Sequence, residues 1–326
     1  MANNGNYQRI DEEHGKASGE EDSEKEVPEI EDEKPGEILI IDPDTEEVDL
    51  NHSRLTKLEN LEPLTKVKRL CFTWNLIKKI ENLHTLTTLV ELELRDNQIT
   101  VIENLDALVN LEVLDLSFNR IKKLEGLDNL TKLDKLFLSS NRLSEIENLS
   151  HLKNLIILEL GDNKIREIKN LDGLNNLTNL FFGKNKITTI QNLENLTNLK
   201  VISLQDNRLT KIENLQTLTK LEQLYLSENG LTCIQGLDNC PDITTLDVAN
   251  NRIKKIQNID HLNNLEDFWM NDNHVEDWAT VENLTANKKL QTVYLERNPI
   301  AKDPNYRRKM KLLLPWLPQL DATLCR

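Results

Sequence analysis

From residue 48 onward, leucine and isoleucine return at fixed intervals, and the polar residues between them keep the same beat. The unit reads LxxLxLxxNxIxxIxNLxxLxx and is 22 residues long. Asparagine marks each pass at Asn75, Asn97, Asn119, Asn141, Asn163, Asn185, Asn207, Asn229, Asn251 and Asn273. Asn298 follows after 25, so three extra residues fall between Trp278 and Leu290. One unit earlier Ser53 holds the asparagine slot, with Val48, Leu50 and Leu55 around it. Self-similarity at such a period is the mark of a stacked array, and twelve units are expected. A degenerate first unit suits a terminal cap.

One unit shows why the array should fold. In Leu111 to Asn119, the alternation Leu114, Asp115, Leu116 has a strand's period of two, which turns both leucines inward and the aspartate outward. Asn119 carries donors and an acceptor that can satisfy backbone groups exposed where the chain turns. Ile121, Leu124, Leu127 and Leu130 then recur every third residue, a spacing for 3-10 or irregular turns rather than a long helix. No unit buries its leucines alone, so stacking must supply the core. The expected fold is an α/β, curved, right-handed solenoid of leucine-rich repeats. Parallel strands line its concave face and short turns its convex face. After Asn298-Pro299 the pattern stops. Asp303-Pro304 reads as an N-cap followed by Pro at N1, opening an amphipathic helix over 306–314. The expected domains are an acidic disordered tail over 1–39, the solenoid over 40–300 and a helical cap over 301–326.

Charge sharpens that division. Residues 1–47 hold 17 acidic and 4 basic residues, whereas the other 279 hold 36 basic and 38 acidic. An acidic arm beside a near-neutral body lacks the basic footprint of a nucleic-acid binder. The first 22 residues have no apolar run and do not read as a secretory signal. Cys71, Cys233, Cys240 and Cys325 form no CxxC pair, which points to a reducing compartment. There is no Gly-rich phosphate loop, GxSxG elbow or HExxH, so neither an enzyme nor a cofactor is expected.

The candidate chemistry lies in the mid-strand slot, four residues before each asparagine. It holds Asp115, Phe137, Glu159, Phe181, Tyr225, Asp247 and Trp269, and Tyr294 in the last repeat. Asp49, Cys71, Glu93 and Ser203 complete the row, which has no lysine or arginine. The chain is only 4% aromatic, yet five of these twelve slots carry rings. A line of outward rings marks a docking surface, because a partner that covers such area gains free energy. Asp267, two residues before Trp269, extends the patch, as do Trp74 and Phe118 just before their asparagines. The partner should present basic and apolar groups. Turn lysines such as Lys122-Lys123 and Lys254-Lys255 read as solvated rim charge.

The unit, with its recurrent Glu-Asn-Leu run (59–61, 81–83, 103–105, 147–149, 213–215), resembles the regulatory subunit 7 family of protein phosphatase-1. The terminal runs DFWMNDN (267–273), VYLERNP (293–299) and KDPNYRR (302–308) carry the resemblance further. It implies a non-catalytic chain, monomeric on its own. Its partner would be the phosphatase catalytic subunit, with a second inhibitor protein able to join, in nucleus and cytoplasm. The family's contact residues correspond to Asp115, Phe137, Glu159, Phe181, Asp247, Asp267, Trp269 and Tyr294. At Asp267 the family commonly has Glu, a longer side chain of the same charge. A short docking peptide of the type used by many phosphatase-1 regulators has its nearest match at 69–72, but Leu70 and Phe72 fall on core positions there. The rival readings are a ribonucleoprotein scaffold and a cytoskeletal adaptor built from the same repeat.

Overall fold

The computed structural model describes residues 40–325. The acidic segment expected over 1–39 lies outside them. Each repeat contributes one three-residue strand: β1 Glu47–Asp49, β2 Arg69–Cys71, β3 Glu91–Glu93, β4 Val113–Asp115, β5 Lys135–Phe137, β6 Ile157–Glu159, β7 Asn179–Phe181, β8 Val201–Ser203, β9 Gln223–Tyr225, β10 Thr245–Asp247, β11 Asp267–Trp269 and β12 Thr292–Tyr294. They form one sheet in sequence order, all parallel, with equivalent residues side by side.

The strands are short because the asparagine ends each one. In repeat four, Asn119 Nδ2 lies within hydrogen-bond reach of three carbonyls: Leu116 (3.1 Å), Ser117 (3.2 Å) and, in the preceding repeat, Leu94 (2.9 Å). Its Oδ1 accepts from the amide of Ile99 at 2.9 Å. The same set recurs at Asn141, Asn163, Asn185 and Asn207. The residue just before each asparagine turns the chain with positive φ, as at Asp96 (53°), Phe118 (55°) and Asp162 (50°).

The outer path runs through tight turns. Leu108 donates to Leu105 O at 2.9 Å and Leu111 to Leu108 O at 3.0 Å, a three-residue step that points every third leucine inward. Leu114, Leu116, Ile121, Leu124, Leu130 and Leu133 are fully buried, and their counterparts in other repeats continue the same core. Burying one such side chain contributes roughly 1.5–3 kcal/mol. The expected parallel-strand solenoid with turn-built outer segments is what the structure shows. Among the described residues no helix is long and apolar enough to cross a membrane.

The eleventh repeat departs from the others. Its three extra residues wind into α1 (Trp278–Val281), capped by Asp277, whose Oδ1 accepts from Ala279 N at 2.9 Å, and then a 3-10 turn over Glu282–Ala286. At the C-terminal end α2 (Tyr306–Leu313) packs Tyr306 and Met310 onto the core. The strand pair β13 (Gln319–Leu320) and β14 (Thr323–Leu324) then closes the sheet edge. The helix starts at Tyr306 as expected, but its cap differs from the one the sequence indicates. Asp303 forms its own turn, accepting from Asn305 N at 2.8 Å and from the Lys309 ammonium. Asn305, not Asp303, therefore stands at the N-cap position, and Pro304 lies outside the helix.

Candidate partner-binding face

In every strand the central residue points into the core and its two neighbours stand on the open face. Repeat four shows it with Leu114 fully buried and Val113 and Asp115 half-buried. Because equivalent residues pair laterally, Asp115 stands beside Phe137, Phe137 beside Glu159, and Glu159 beside Phe181. The line continues through Ser203, Tyr225, Asp247, Trp269 and Tyr294. Neighbouring strands stand about 4.8 Å apart, so these side chains line up side by side within reach of one another. The row is one continuous strip, and Asp267 lies on the same face one column over.

The strip is less open than the alternation implies. Asp115, Phe137, Glu159, Phe181, Tyr225, Trp269 and Tyr294 are half-buried. Asp247 is only 6% exposed and Ser203 only 7%. The expectation that Asp247 faces solvent is therefore corrected, and the cause is lateral. Tyr225 and Trp269 flank it, and their rings lean toward each other to a centroid separation of 6.2 Å. Their convergence covers the carboxylate between them. Asp247 Oδ1 accepts from Ala249 N at 3.0 Å, and Asp115 Oδ1 accepts from Ser117 N at 2.8 Å. Aspartate in this slot thus also caps the strand end. The short reach of Asp over Glu, followed two residues later by a small residue, is the sequence signal for that role.

Burial raises the carboxyl pKa of Asp115, with the hydrogen bonds from Ser117 pulling the other way. Glu159 is raised by burial too, opposed by a hydrogen bond from Ser139 and reinforced by the charge of Asp115. Arg95 is a weak cationic counterweight to both. Two carboxylates partly stripped of water flank the Phe137 ring, a setting in which an incoming cation finds strong attraction. At the far end Gln319 donates to the Tyr294 hydroxyl at 3.1 Å and fixes that ring. Trp74 and Phe118, 53% and 42% exposed, stand on the turns after their strands. Trp74 stacks on His52 at 5.4 Å, and the Arg95 guanidinium sits 4.5 Å over Phe118. Leu70 and Phe72 are core residues, so the 69–72 run cannot leave the sheet as a docking peptide.

One recurrent group escaped the sequence reading. The asparagines Asn82, Asn104, Asn148 and Asn214 of the Glu-Asn-Leu runs have positive φ and donate to a carbonyl 24 residues earlier, as Asn104 Nδ2 does to Ile80 O at 2.7 Å. Gly126 and Gly236 take their place in two repeats, again with positive φ. Alternation between Asn and Gly, the residues that best tolerate this conformation, was the available signal.

The Leucine-rich repeat family model matches residues 72–181 and 217–323, and a two-copy leucine-rich-repeat model matches 175–217. The chain belongs to the leucine-rich-repeat family. An internalin of Listeria monocytogenes shares the fold with a TM-score of 0.76 and 26% identity, over 84% of this leucine-rich-repeat chain and 79% of the internalin. A leucine-rich-repeat protein of Leptospira interrogans superposes with a TM-score of 0.68 at 23% identity, over 82% and 75% of the two chains. Human protein phosphatase 1 regulatory subunit 7 is 56% identical over 52 residues, 16% of this chain and 14% of the human protein. The Danio rerio protein of the same name is 57% identical over 49 residues, 15% and 14% of the two chains. The resemblance read from the sequence holds over that stretch, which spans about a seventh of those relatives.

Proposed function

We propose that the chain is a non-catalytic regulatory subunit that binds the catalytic subunit of protein phosphatase-1 through its strand face. The observation that carries this reading is the lateral strip of half-buried rings and carboxylates running from Asp115 to Tyr294. The regulatory-subunit names of the relatives supply the partner. Phe137, Phe181, Tyr225, Trp269 and Tyr294 act as anchors whose remaining exposed area is covered on binding. Asp115, Glu159 and Asp267 pair with basic groups of the enzyme. Asp247 acts from beneath, under the converging Tyr225 and Trp269 rings. A second inhibitor protein joins the same complex, which works in nucleus and cytoplasm, and the free chain is a monomer.

The test is titration calorimetry against the purified phosphatase-1 catalytic subunit. Phe181→Ala and Trp269→Ala should each cost about 2 kcal/mol or more of binding free energy. Wild-type affinity in both variants, with circular dichroism unchanged, overturns the reading. The chain alone should hydrolyse no phosphate ester, and turnover that persists after phosphatase-1 is depleted would refute the non-catalytic part.

A further inference from the structure

A second strip runs along the molecule beside the asparagines, on a surface that the proposed phosphatase contact does not use. The residue just after the asparagine is Arg120, Arg142, Lys164, Lys186 and Arg208 in five consecutive repeats. Each backbone amide donates to the preceding repeat at 2.8 Å, Arg120 to Ile99 O and Arg208 to Ile187 O among them. The five positions therefore stand in lateral register, about 5 Å from one to the next. Lys186 is half-buried and the other four are exposed.

The fold does not ask for cations there. Gln98 and Gly230 occupy the equivalent slot just before and just after the run. Like charges abreast on neighbouring strands repel. Some lysines of the array do pair with a carboxylate of a neighbouring repeat, as in Lys68–Glu46 at 2.8 Å, Lys169–Glu145 at 2.9 Å and Lys200–Glu222 at 2.8 Å. Among the described residues none of the five ridge cations makes an ion pair of that kind. A row of cations in register, none of them held in an ion pair, suits an external polyanion.

We infer that this ridge docks an acidic polypeptide segment of a partner. Charge complementarity selects an anion, and the shortage of stacking platforms along the ridge selects polypeptide over nucleic acid. Single-stranded nucleic acid needs aromatic platforms between the cations. The neighbouring slots from the fourth to the eighth repeat hold Phe118, whose ring the Arg95 guanidinium already covers, and then Ser140, Asp162, Lys184 and Asp206. Carboxylates on one face of a helix recur at about 5–6 Å, close to the rung spacing.

The test uses the full chain with a labelled poly-glutamate peptide and a labelled oligothymidylate of equal charge, read by fluorescence anisotropy. The wild type should bind the peptide at low ionic strength, and added salt should weaken it. The triple variant Arg142→Gln, Lys164→Gln, Lys186→Gln copies the side chain that Gln98 already places in this slot, so the fold is kept. It should bind the peptide at least about tenfold more weakly. Its melting temperature should also respond less to added salt than that of the wild type, because the repulsion is gone. The inference is overturned by unchanged peptide binding in the triple variant, by tighter binding of the oligothymidylate than of the peptide, or by an equal loss in the off-ridge variant Lys254→Gln, Lys255→Gln.

Discussion

Glu159 and Asp115 hold their carboxylates where folding has already removed much of their water, and this has a price in stability. A carboxyl whose pKa is raised on folding disfavours the folded state when ionised. The penalty is fully present at neutral pH and disappears as pH falls through the raised value and then the unfolded one near 4. Glu159→Gln should therefore melt higher than the wild type at pH 7, with the gap closing toward pH 4, while phosphatase affinity falls. A variant that melts lower at pH 7 contradicts the burial argument. For the same reason wild-type affinity should fall on mild acidification, as protonation removes the attraction for basic groups. The asparagine spine works in the opposite sense. Asn163 bonds Leu138 O, Leu160 O, Gly161 O and the amide of Leu143. Asn163→Ala strands buried backbone groups and should cost about 3 kcal/mol in urea unfolding, since each orphaned group costs about 1–3 kcal/mol. The spine was legible in the sequence because asparagine is the one polar residue that recurs in every repeat from Asn75 onward. The shading of Asp247 was not, because it depends on two rings leaning from strands 22 residues away on either side.

At the scale of elements, the alternation of Leu114, Asp115 and Leu116 announced the strands, and the three-residue leucine spacing announced the outer turns. Both follow from period alone. The three extra residues after Asn273 were visible as a longer step, but not what they make. They build α1, whose Trp278 packs against Tyr306 of α2 at 6.1 Å under the Lys309 ammonium, 4.8 Å from the ring. The longest repeat is thus the latch for the C-terminal cap. Trp278→Ala should lower stability by about 3 kcal/mol, the usual cost of truncating a packed aromatic. It should also speed amide exchange in α2 before the central strands. Uniform acceleration along the chain would show that the cap is not a separate latch. The misplaced N-cap at Asp303 has a local cause: the Asp-Pro pair suits a turn as well as an N-cap, and contact with Lys309 favours the turn.

Across the whole molecule, each repeat meets only its two neighbours in the strand ladder, so stability accumulates along one dimension. The ends differ accordingly. At one, β1 pairs only with β2 among the described residues, and Ser53 stands in the slot where each later asparagine bonds the repeat before it. At the other, Asp321 Oδ1 accepts from Leu295 N at 2.8 Å and Glu296 N at 2.9 Å. It terminates the ladder as an asparagine would continue it. The repeat count was legible because the period never slips before residue 273. The identity of the face's partner was not, because a binding strip names a chemistry rather than a protein.

The lateral register also makes the sheet a graduated scale. One 22-residue unit adds one rung, and a rung is about 4.8 Å. Excising residues 187–208 would rejoin equivalent positions and leave the remaining hydrogen bonds intact, yet bring Trp269 one graduation nearer to Phe181. Such a chain should stay folded, by cooperative melting, and lose phosphatase affinity far beyond what the missing Ser203 explains. Distance along this protein is counted in whole numbers, and a partner that fits one count is out of step with the next.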